Sequence, residues 1–271
     1  MSKNDKNNDY KLELRGISKT FNPGTVHEKR AIEHLDLKLS TGDFVTIIGS
    51  NGAGKSTLFH LICGDFYPDT GEIILNHENL TFQPAHIRAR RIGRLYQDPM
   101  RGSAPGMSIE ENLFLAAGWG GMFSRIGKSD RERFREKLSL LGMGLENRMR
   151  QPVGLLSGGQ RQALTLLMAT MNPPELLLLD EHTAALDPAT AEKVLNLTRA
   201  IVEEYQITTM MVTHNMRNAL DMGNRTFMMN HGEIVLDVSG EERRGLRVSD
   251  LLERFRAGAG KELDNDRILL S

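Results

Sequence analysis

The residues best suited to chemistry stand in a glycine-rich loop at residues 49–57. The loop reads Gly-Ser-Asn-Gly-Ala-Gly-Lys-Ser-Thr and fits the pattern G-x-x-x-x-G-K-[ST], with Gly49, Gly54, Lys55 and Ser56 at its fixed positions. Apolar residues before the loop predict a buried strand, and apolar residues after it predict a helix. This order of strand, glycine loop and helix is typical of a phosphate-binding loop and disfavours a chance glycine-rich turn.

The backbone of such a loop supplies many of the contacts that a phosphate needs. Glycine allows backbone angles that turn successive N–H groups toward one point, and the helix N-terminus adds unpaired donors. We expect Lys55 to reach the β- and γ-phosphates of a nucleotide, Ser56 to ligate Mg²⁺ and Thr57 to support the α-phosphate. The other residues expected around the phosphates are Ser50, Asn51, Gly52, Ala53 and Gly54.

A second candidate site lies at the end of an apolar run. Leucine occupies residues 176–179, and Asp180 and Glu181 follow. Such runs are typical of central parallel strands, and ligands bind at the carboxyl ends of these strands. We therefore expect Asp180 to hold Mg²⁺ through its water shell and Glu181 to polarise an attacking water. The alternative is an acidic pair that only caps the next helix, which the complete phosphate loop upstream disfavours.

A third motif, Leu-Ser-Gly-Gly-Gln, occupies residues 156–160. Ser157 followed three residues later by Gln160 is the pattern of a capping box, so a helix is predicted to start here. A helix N-terminus flanked by glycine is also an anion site, because its first N–H groups have no partner within the helix. The same residues can therefore cap a helix and bind a phosphate.

Further strands and helices must position these motifs. Alternating apolar residues in the first two strands are expected to form an antiparallel edge of the sheet. The predicted strands lie at residues 11–17, 31–39, 72–75, 91–96 and 208–213, with a terminal hairpin at residues 226–236. Helix starts are predicted from caps at three places: Ser108 with Glu111, Ser129 with Glu132, and Asp187 with Pro188.

The composition excludes some classes of protein. Hydrophobic residues make up 39% of the 271 residues and charged residues 25%, an ordinary globular balance. The 34 basic and 35 acidic residues give a net charge of −1, which argues against a nucleic-acid-binding protein. We expect the local cluster of Arg88, Arg90, Arg91 and Arg94 to be a solvated or partner-facing surface. The single cysteine, Cys63, allows no intrachain disulfide and is expected to be buried.

The chain carries no evident membrane signal. Residues 1–9 are polar, lack the apolar core of a signal peptide and are expected to be disordered. No apolar run approaches the length of a membrane-spanning helix. If the protein serves a membrane process, we expect another subunit to supply the membrane part.

The three motifs together resemble the ATP-binding subunit of ABC transporters, whose signature is Leu-Ser-Gly-Gly-Gln. The resemblance covers residues 12–236 in family order. It implies an α/β fold with a P-loop NTPase core, a mostly parallel sheet, an antiparallel β-rich edge and a helical insertion. It also implies a homodimer in which two ATP molecules are shared. In that dimer the γ-phosphate held by one copy is contacted by the other copy's Ser157, Gly158, Gly159 and Gln160.

The resemblance assigns roles to further residues. Gln97 matches the Q-loop glutamine, which senses Mg²⁺ and links to the helical insertion. His214 matches the switch histidine that contacts the γ-phosphate, for which a plain structural histidine is the alternative. Phe21 stands where the family has an aromatic that stacks on adenine, for which a core phenylalanine is the alternative. The expected catalytic residues are thus Lys55, Glu181 and His214, and the expected Mg²⁺ residues are Ser56, Gln97 and Asp180.

Some positions depart from the family pattern. His182 stands where proline usually follows the catalytic glutamate, and Ala185 replaces the usual serine of the D-loop at residues 184–187. Neither change removes a group needed for ATP hydrolysis. With the sequence Thr-His-Asn-Met at residues 213–216, the pattern resembles ATPases paired with bacterial importers proposed for aromatic amino acids.

The resemblance also implies a domain organisation. We expect an ABC-type ATPase domain at residues 10–236, with a helical subdomain at about 98–170 and a short C-terminal tail at 237–271. Residues 97–112 would form the groove that receives a short permease helix, with Met100 and Met107 as adaptable apolar contacts. The alternative for this segment is an ordinary surface loop.

The implied function is an ATP-binding and ATP-hydrolysing subunit that powers a membrane ABC transporter, with importers of small solutes such as amino acids favoured. Its expected partners are membrane permease subunits, a second copy of the chain and, indirectly, a solute-binding protein, with no nucleic acid. It would lie at the cytoplasmic side of the cell membrane, held there through the permease. The alternative is a soluble ABC-type ATPase that acts as an assembly factor, as in iron–sulfur cluster biogenesis.

Overall fold

The structure, a computed structural model, describes residues 10–118 and 125–259. The described residues form two units: one contains residues 10–92, 175–180 and 206–259, and the other contains residues 93–118, 125–174 and 181–205. The segments predicted as a disordered N-terminus (1–9) and as the end of the tail (260–271) lie outside the described residues. No helix of the described ranges is both long and apolar enough to cross a membrane.

The described residues form ten strands, of which all but the two-residue strand at Glu78–Asn79 were predicted. They are β1 (Tyr10–Phe21), β2 (Lys29–Ser40), β3 (Phe44–Gly49), β4 (Thr70–Leu75), β5 (Glu78–Asn79), β6 (Ile92–Leu95), β7 (Leu176–Asp180), β8 (Thr208–Val212), β9 (Arg225–Asn230) and β10 (Glu233–Ser239).

The helices of the described residues alternate with these strands or cluster in the second unit. They are α1 (Lys55–Cys63), α2 (Ala85–Arg88), α3 (Ile109–Ala116), α4 (Lys128–Ser139), α5 (Gly158–Ala169), α6 (Pro188–Tyr205), α7 (Met216–Asp221), α8 (Gly240–Arg244) and α9 (Val248–Ala259).

The first unit is built on a mostly parallel sheet. Five of its strands have the order β10-β9-β3-β8-β7, and β3 pairs in parallel with both β8 and β9. Every residue of β3 and β8 is buried, as expected for central strands, and threonine is the only polar residue type in either strand. The predicted hairpin is confirmed, since β9 and β10 pair antiparallel around Asn230 and Glu233. The methionines of β8 and β9 are buried in this unit: Met210, Met211, Met228 and Met229.

The predicted antiparallel strands form a sheet of their own rather than an edge of the parallel one. Its strand order is β2-β1-β4-β5. Leu12 of β1 pairs with Leu39 of β2 on one side and with Leu75 of β4 on the other. These three leucines are fully buried. Because both edges of β1 are already paired, this strand has no free hydrogen-bonding edge with which to join the parallel sheet.

The second unit has a separate apolar core and two predicted helix starts. Its core contains Leu113 of α3, Phe134 of α4 and Leu164 of α5. The capping box of α3 is confirmed, because Glu111 N–H donates to Ser108 Oγ and the Glu111 carboxylate accepts from Ser108 N–H. At the start of α6, Asp187 accepts from Thr190 N–H at 3.1 Å, as the predicted cap requires.

The predicted start of α4 is wrong. The capping box was expected at Ser129 with Glu132, but the helix begins at Lys128 after Gly127. Gly127 N–H donates to Asp130 Oδ2 at 2.8 Å, so the acidic residue three positions after Gly127 closes the first turn. A capping pattern judged by residue type alone missed this start, because glycine caps without a side chain.

Arg88 overturns the prediction of an exposed arginine cluster. Its side chain is fully buried. The guanidinium donates to the carbonyl oxygens of Leu61 at 2.7 Å, Ile62 at 2.9 Å, Thr81 at 2.9 Å and Gln83 at 2.9 Å. Burial lowers the pKa of Arg88 from its usual value, and the carbonyls that surround the charge compensate for the lost water. Arg88 therefore closes the last turn of α1, the helix that follows the glycine loop.

Replacement of Arg88 by methionine should destabilise the fold. The change keeps an apolar stem but leaves three buried carbonyls and one partly buried carbonyl without their donor, so we expect the free energy of unfolding to fall by about 3 kcal/mol. Urea unfolding followed by circular dichroism measures this change. The matched control is Arg90→Met, because Arg90 is exposed. Equal stability of the two variants would contradict the structural role of Arg88.

Candidate functional site

The glycine loop is fixed by the backbone of neighbouring strands. Gly54 precedes α1 with φ +102°, and a Cβ atom there would lie 2.5 Å from the carbonyl oxygen of Ala31. Gly49, at the end of β3, has φ +153°, and a Cβ atom there would lie 2.2 Å from the carbonyl oxygen of Met229. Neither position has room for a side chain, so two of the four fixed residues of the motif are set by close backbone contact.

Lys55 lies at the centre of this loop. It is 6% exposed, and its Nζ donates to the carbonyl oxygens of Gly49 at 2.6 Å and Ser50 at 2.9 Å. The first turn of α1 contains no acidic residue. The ammonium and the unpaired N–H groups at the start of α1 therefore add their positive potentials at one place, as an anion site requires. Ser56 is exposed and Thr57 half-buried in the same turn.

The turn between β9 and β10 supports the loop, a contact that the sequence did not indicate. Gly232 N–H donates to the carbonyl oxygen of Ala53 at 3.0 Å, and Glu33 N–H donates to the carbonyl oxygen of Gly232. The Asn-His-Gly sequence predicted only a hairpin turn. The pairing of that turn with the loop brings together residues almost 180 positions apart, for which the sequence has no local signal.

Asp180 and His214 lie at the same edge of the sheet as the glycine loop. Strands β3, β8 and β7 are adjacent and parallel, and Asp180 pairs in register with Val212. Thr213 N–H donates to the carbonyl oxygen of Ile47, so the hydrogen bonding between β8 and β3 extends to the residue before His214. Since the carboxyl ends of parallel strands meet at one edge, the loop, Asp180 and His214 are brought together there.

Phe21 lies on the same side of the first unit. It pairs in register with Lys29, and Lys29 Nζ lies 3.6 Å from the position of a Cβ atom on Gly52. The Phe21 ring is half-buried and meets Phe66 edge to face, with centroids 5.4 Å apart. Sequence reasoning missed Lys29, a basic residue beside the glycine loop, because it lies outside every recognised motif.

Gln97 and Glu181 belong to the second unit. Gln97 is exposed, two residues after β6, and Asp98 then accepts from Met100 N–H at 2.9 Å to start a short helical turn. Glu181 follows β7 directly and is half-buried. Its φ of +46° lies in the left-handed region, which is uncommon for a residue with a side chain.

The Leu-Ser-Gly-Gly-Gln motif forms the predicted capping box. Gln160 N–H donates to Ser157 Oγ at 3.3 Å, and Ser157 N–H donates to Gln160 Oε1 at 3.2 Å. Ser157 and Gly158 are exposed, whereas Gly159 is buried against α6. A Cβ atom on Gly159 would lie 2.0 Å from Thr190 Cγ2. The first turn of α5 contains no acidic residue that would oppose an anion at the helix N-terminus.

His182 is a buried side chain that sequence reasoning noted only as a departure. It is 2% exposed, and its Nε2 lies 3.3 Å from Thr198 Oγ1 in the middle of α6. Burial lowers the pKa of His182 to about 4, so the ring is neutral at pH 7. The pair of His182 and Thr198 therefore joins the residue after Glu181 to α6.

Comparison with known proteins identifies the family. The sequence pattern described as ABC transporter matches residues 32–184. The chain is 42% identical over 250 residues to the tyrosine transport ATP-binding protein of Clostridioides difficile (strain R20291), which covers 90% of this chain and 98% of that protein. The chain belongs to the ABC transporter family. It is therefore an ATP-binding and ATP-hydrolysing cassette with an α/β fold.

Two further relatives support the assignment. The methionine import ATP-binding protein MetN 1 of Enterococcus faecalis (strain ATCC 700802 / V583) is 34% identical over 228 residues, which are 83% of this chain and 62% of that protein. Among solved structures, a dimeric post-hydrolysis state of the ATP-binding cassette MJ0796 bound to ADP and Pi is 29% identical with a TM-score of 0.72. It covers 87% of this chain and all of the solved chain.

A pair of substitutions can test whether the close contact with Thr190 is the reason for glycine at position 159 of the signature. Gly159→Ala should lower the ATPase rate by at least about tenfold, because the new methyl group would push the start of α5 away from α6. Adding Thr190→Ser removes the Cγ2 atom that the methyl group meets, so the double variant should regain most of the rate. Thr190→Ser alone is the control. A double variant as slow as Gly159→Ala would show that the close approach is not what requires glycine.

Proposed function

We propose that this chain powers a bacterial importer of amino acids, with aromatic amino acids such as tyrosine as the first candidates. The observation that carries this proposal is the 42% identity to a tyrosine transport ATP-binding protein over 98% of that protein's length. The chain spans 62% of the methionine import relative, which makes methionine the weaker candidate. Because the relatives reported above are transport proteins, a soluble assembly factor is not favoured.

In the proposed hydrolysis, the glycine loop holds the nucleotide. The backbone of residues 50–54, the Lys55 ammonium and the Thr57 hydroxyl would bind the phosphates, and Phe21 would stack on the adenine. Lys55 would exchange the carbonyl oxygens of Gly49 and Ser50 for phosphate oxygens, which are stronger acceptors because they are charged.

The residues around the loop fit Mg²⁺. The Ser56 hydroxyl and the Asp180 carboxylate are oxygen donors of the kind that Mg²⁺ prefers, and Asp180 ends a strand adjacent to β8 at the loop's edge of the sheet. No cluster of three or more metal-ligating side chains occurs within the described residues, which suits an ion that also needs phosphate and water ligands. When bound, Mg²⁺ would neutralise charge on the β- and γ-phosphates. Gln97 would sense its presence.

Glu181 and His214 would act on the reacting groups. The Glu181 carboxylate would orient the attacking water and accept its proton, while His214 would donate a hydrogen bond to the γ-phosphate. Ser157, Gly158, Gly159 and Gln160 would complete the site from a second copy, since the start of α5 is exposed. The dimeric arrangement of a solved cassette of the same fold supports this proposal.

Permease subunits are the proposed membrane partners, and the chain would lie at the cytoplasmic side of the membrane through them. The proposed contact is the segment at residues 97–112. Met100 is 39% exposed, and Met107 lines a groove of about 620 Å³ together with Phe114 and Leu115. The groove also contains the charged side chains of Glu111, Arg125 and Arg150, so it suits a short amphipathic helix from a partner. A solute-binding protein would contribute on the other side of the membrane, without touching this subunit.

Two variants separate the proposed roles within and between copies. Glu181→Gln should bind ATP but hydrolyse it at least about a hundredfold more slowly, because the amide cannot accept the proton of the attacking water. The ATP-bound protein should then accumulate as a dimer, measured by light scattering.

Ser157→Arg should bind ATP with normal affinity as a monomer and fail to dimerise, because its added bulk and charge act on the partner's nucleotide. Both variants are measured against unchanged protein with and without ATP and Mg²⁺. Loss of ATP affinity in Ser157→Arg would contradict the proposal that this residue acts on the other copy's site.

Transport is tested in cells that lack the gene for this chain. We expect uptake of labelled tyrosine to fall and to return when the unchanged chain is supplied. Met100→Glu and Met107→Glu should keep the ATPase rate of the isolated subunit within about twofold while they lower permease capture in detergent and tyrosine uptake at least about tenfold.

The matched control is Leu140→Glu, because Leu140 is also an exposed apolar residue of the second unit, at 69% exposure, and lies outside the groove. Uptake of tyrosine that is normal without the chain would contradict the proposed substrate. Normal permease capture by both methionine variants would contradict the proposed contact.

A further inference from the structure

We propose that His182 is a positioning residue that fixes the Glu181 carboxylate for hydrolysis by tying the turn after β7 to α6. This inference rests on the proposed role of Glu181 as the group that activates water. His182 itself would make no contact with ATP, but it would orient Glu181, which acts on the attacking water.

The turn that carries Glu181 is strained. Glu181 has φ +46°, and its carbonyl oxygen accepts a hydrogen bond from Ala184 N–H at 3.0 Å, so residues 181–184 form a tight turn. A residue with a side chain occupies the left-handed region at a cost in free energy, and it stays there only when its surroundings hold it. The direction in which the Glu181 side chain leaves the backbone depends on that conformation.

The hydrogen bond between His182 and Thr198 is the contact that can hold the turn. Thr198 Oγ1 donates its single proton to the carbonyl oxygen of Val194 at 2.8 Å. The oxygen is therefore the acceptor in its contact with His182, and Nε2–H of the imidazole is the donor at 3.3 Å. Both side chains are buried, at 2% and 0% exposure, so water does not compete for either atom.

Helix α6 is a rigid anchor for this bond. It runs for 18 residues from Pro188 to Tyr205, and Thr198 lies in its middle, where every backbone group is held by the helix. The other described backbone hydrogen bonds of the turn, such as Leu186 N–H to the carbonyl oxygen of Thr183, are local to it. The side chain of His182 thus connects a short turn to the middle of an 18-residue helix.

The same helix also contacts the signature. Thr190 of α6 lies against Gly159, and Leu186 of the turn lies against Gly158. Helix α6 therefore carries Thr198, the partner of His182, near its middle and Thr190, the packing partner of α5, near its start. A displacement of α6 would therefore alter the bond between His182 and Thr198 and the contact between Thr190 and Gly159 together.

The test is a set of substitutions at Thr198, which is remote from the reacting groups. Thr198→Val keeps the shape of the side chain but removes the acceptor, so we expect kcat for ATP to fall at least about tenfold. The Kd for ATP and the KM should stay within about twofold, because the glycine loop is untouched. Thr198→Ser retains the hydroxyl and should keep kcat within about threefold of the unchanged chain.

His182→Phe removes the donor from the other side and should give the same fall in kcat. The double variant His182→Phe with Thr198→Val should be no slower than either single variant, because both remove one interaction. If His182→Phe fails to fold, the comparison of valine with serine at position 198 still decides. A kcat for Thr198→Val equal to that of Thr198→Ser would overturn the inference, as would a fall in kcat matched by an equal rise in KM.

A further comparison separates this inference from the proposed function. In a Glu181→Gln background, Thr198→Val should cause no additional loss of the residual rate, because its effect acts through the carboxylate. If Glu181→Gln alone keeps the full rate, the proposed role of Glu181 fails and the inference fails with it. If Glu181→Gln is slow and Thr198→Val is normal, only the positioning role of His182 is wrong.

Discussion

The fit of the glycine loop against neighbouring backbone is the constraint on which the rest of the site depends. The carbonyl oxygens of Ala31 and Met229 leave no space for a Cβ atom at Gly54 and Gly49. These close approaches fix the conformation of the loop. In this conformation, Lys55 Nζ donates to the carbonyl oxygens of Gly49 and Ser50. The strands that supply the contact, β2 and β9, come from both sheets of the first unit. Packing of these sheets therefore determines the geometry of the phosphate site.

In the second unit, the start of α5 is held by a capping box and by close packing against α6. The start of α5 is exposed at Ser157 and Gly158, and in the proposed dimer it must also be held in place. The capping box pairs the N–H groups of Ser157 and Gln160, while the missing side chain of Gly159 allows α6 to approach closely. The turn with Glu181 is attached to the same helix through His182 and Thr198. In both units, glycine positions and buried hydrogen bonds fix the groups that would touch ATP.

Local patterns predicted most of the fold and the motifs. The apolar runs of β3, β7 and β8 and the caps at Ser108, Ser157 and Asp187 could be identified because each depends on residues a few positions apart. The burial of Arg88 could not, since its partners come from α1 and from the segment after β5. The contacts of Gly232 with the loop and of His182 with Thr198 were missed for the same reason. Such contacts depend on tertiary structure rather than on local residue types.

In the proposed dimer, each ATP site is built from the glycine loop of one copy and the signature of another. The most direct measurement mixes Lys55→Ala protein with Ser157→Arg protein and follows ATP hydrolysis. Lys55→Ala alone should be inactive because both of its glycine loops are damaged, and Ser157→Arg alone should be inactive because it forms no dimer. In a mixed dimer, one site carries both changes and the other carries none, so mixing should restore activity. A mixture that stays as inactive as its components would contradict the account.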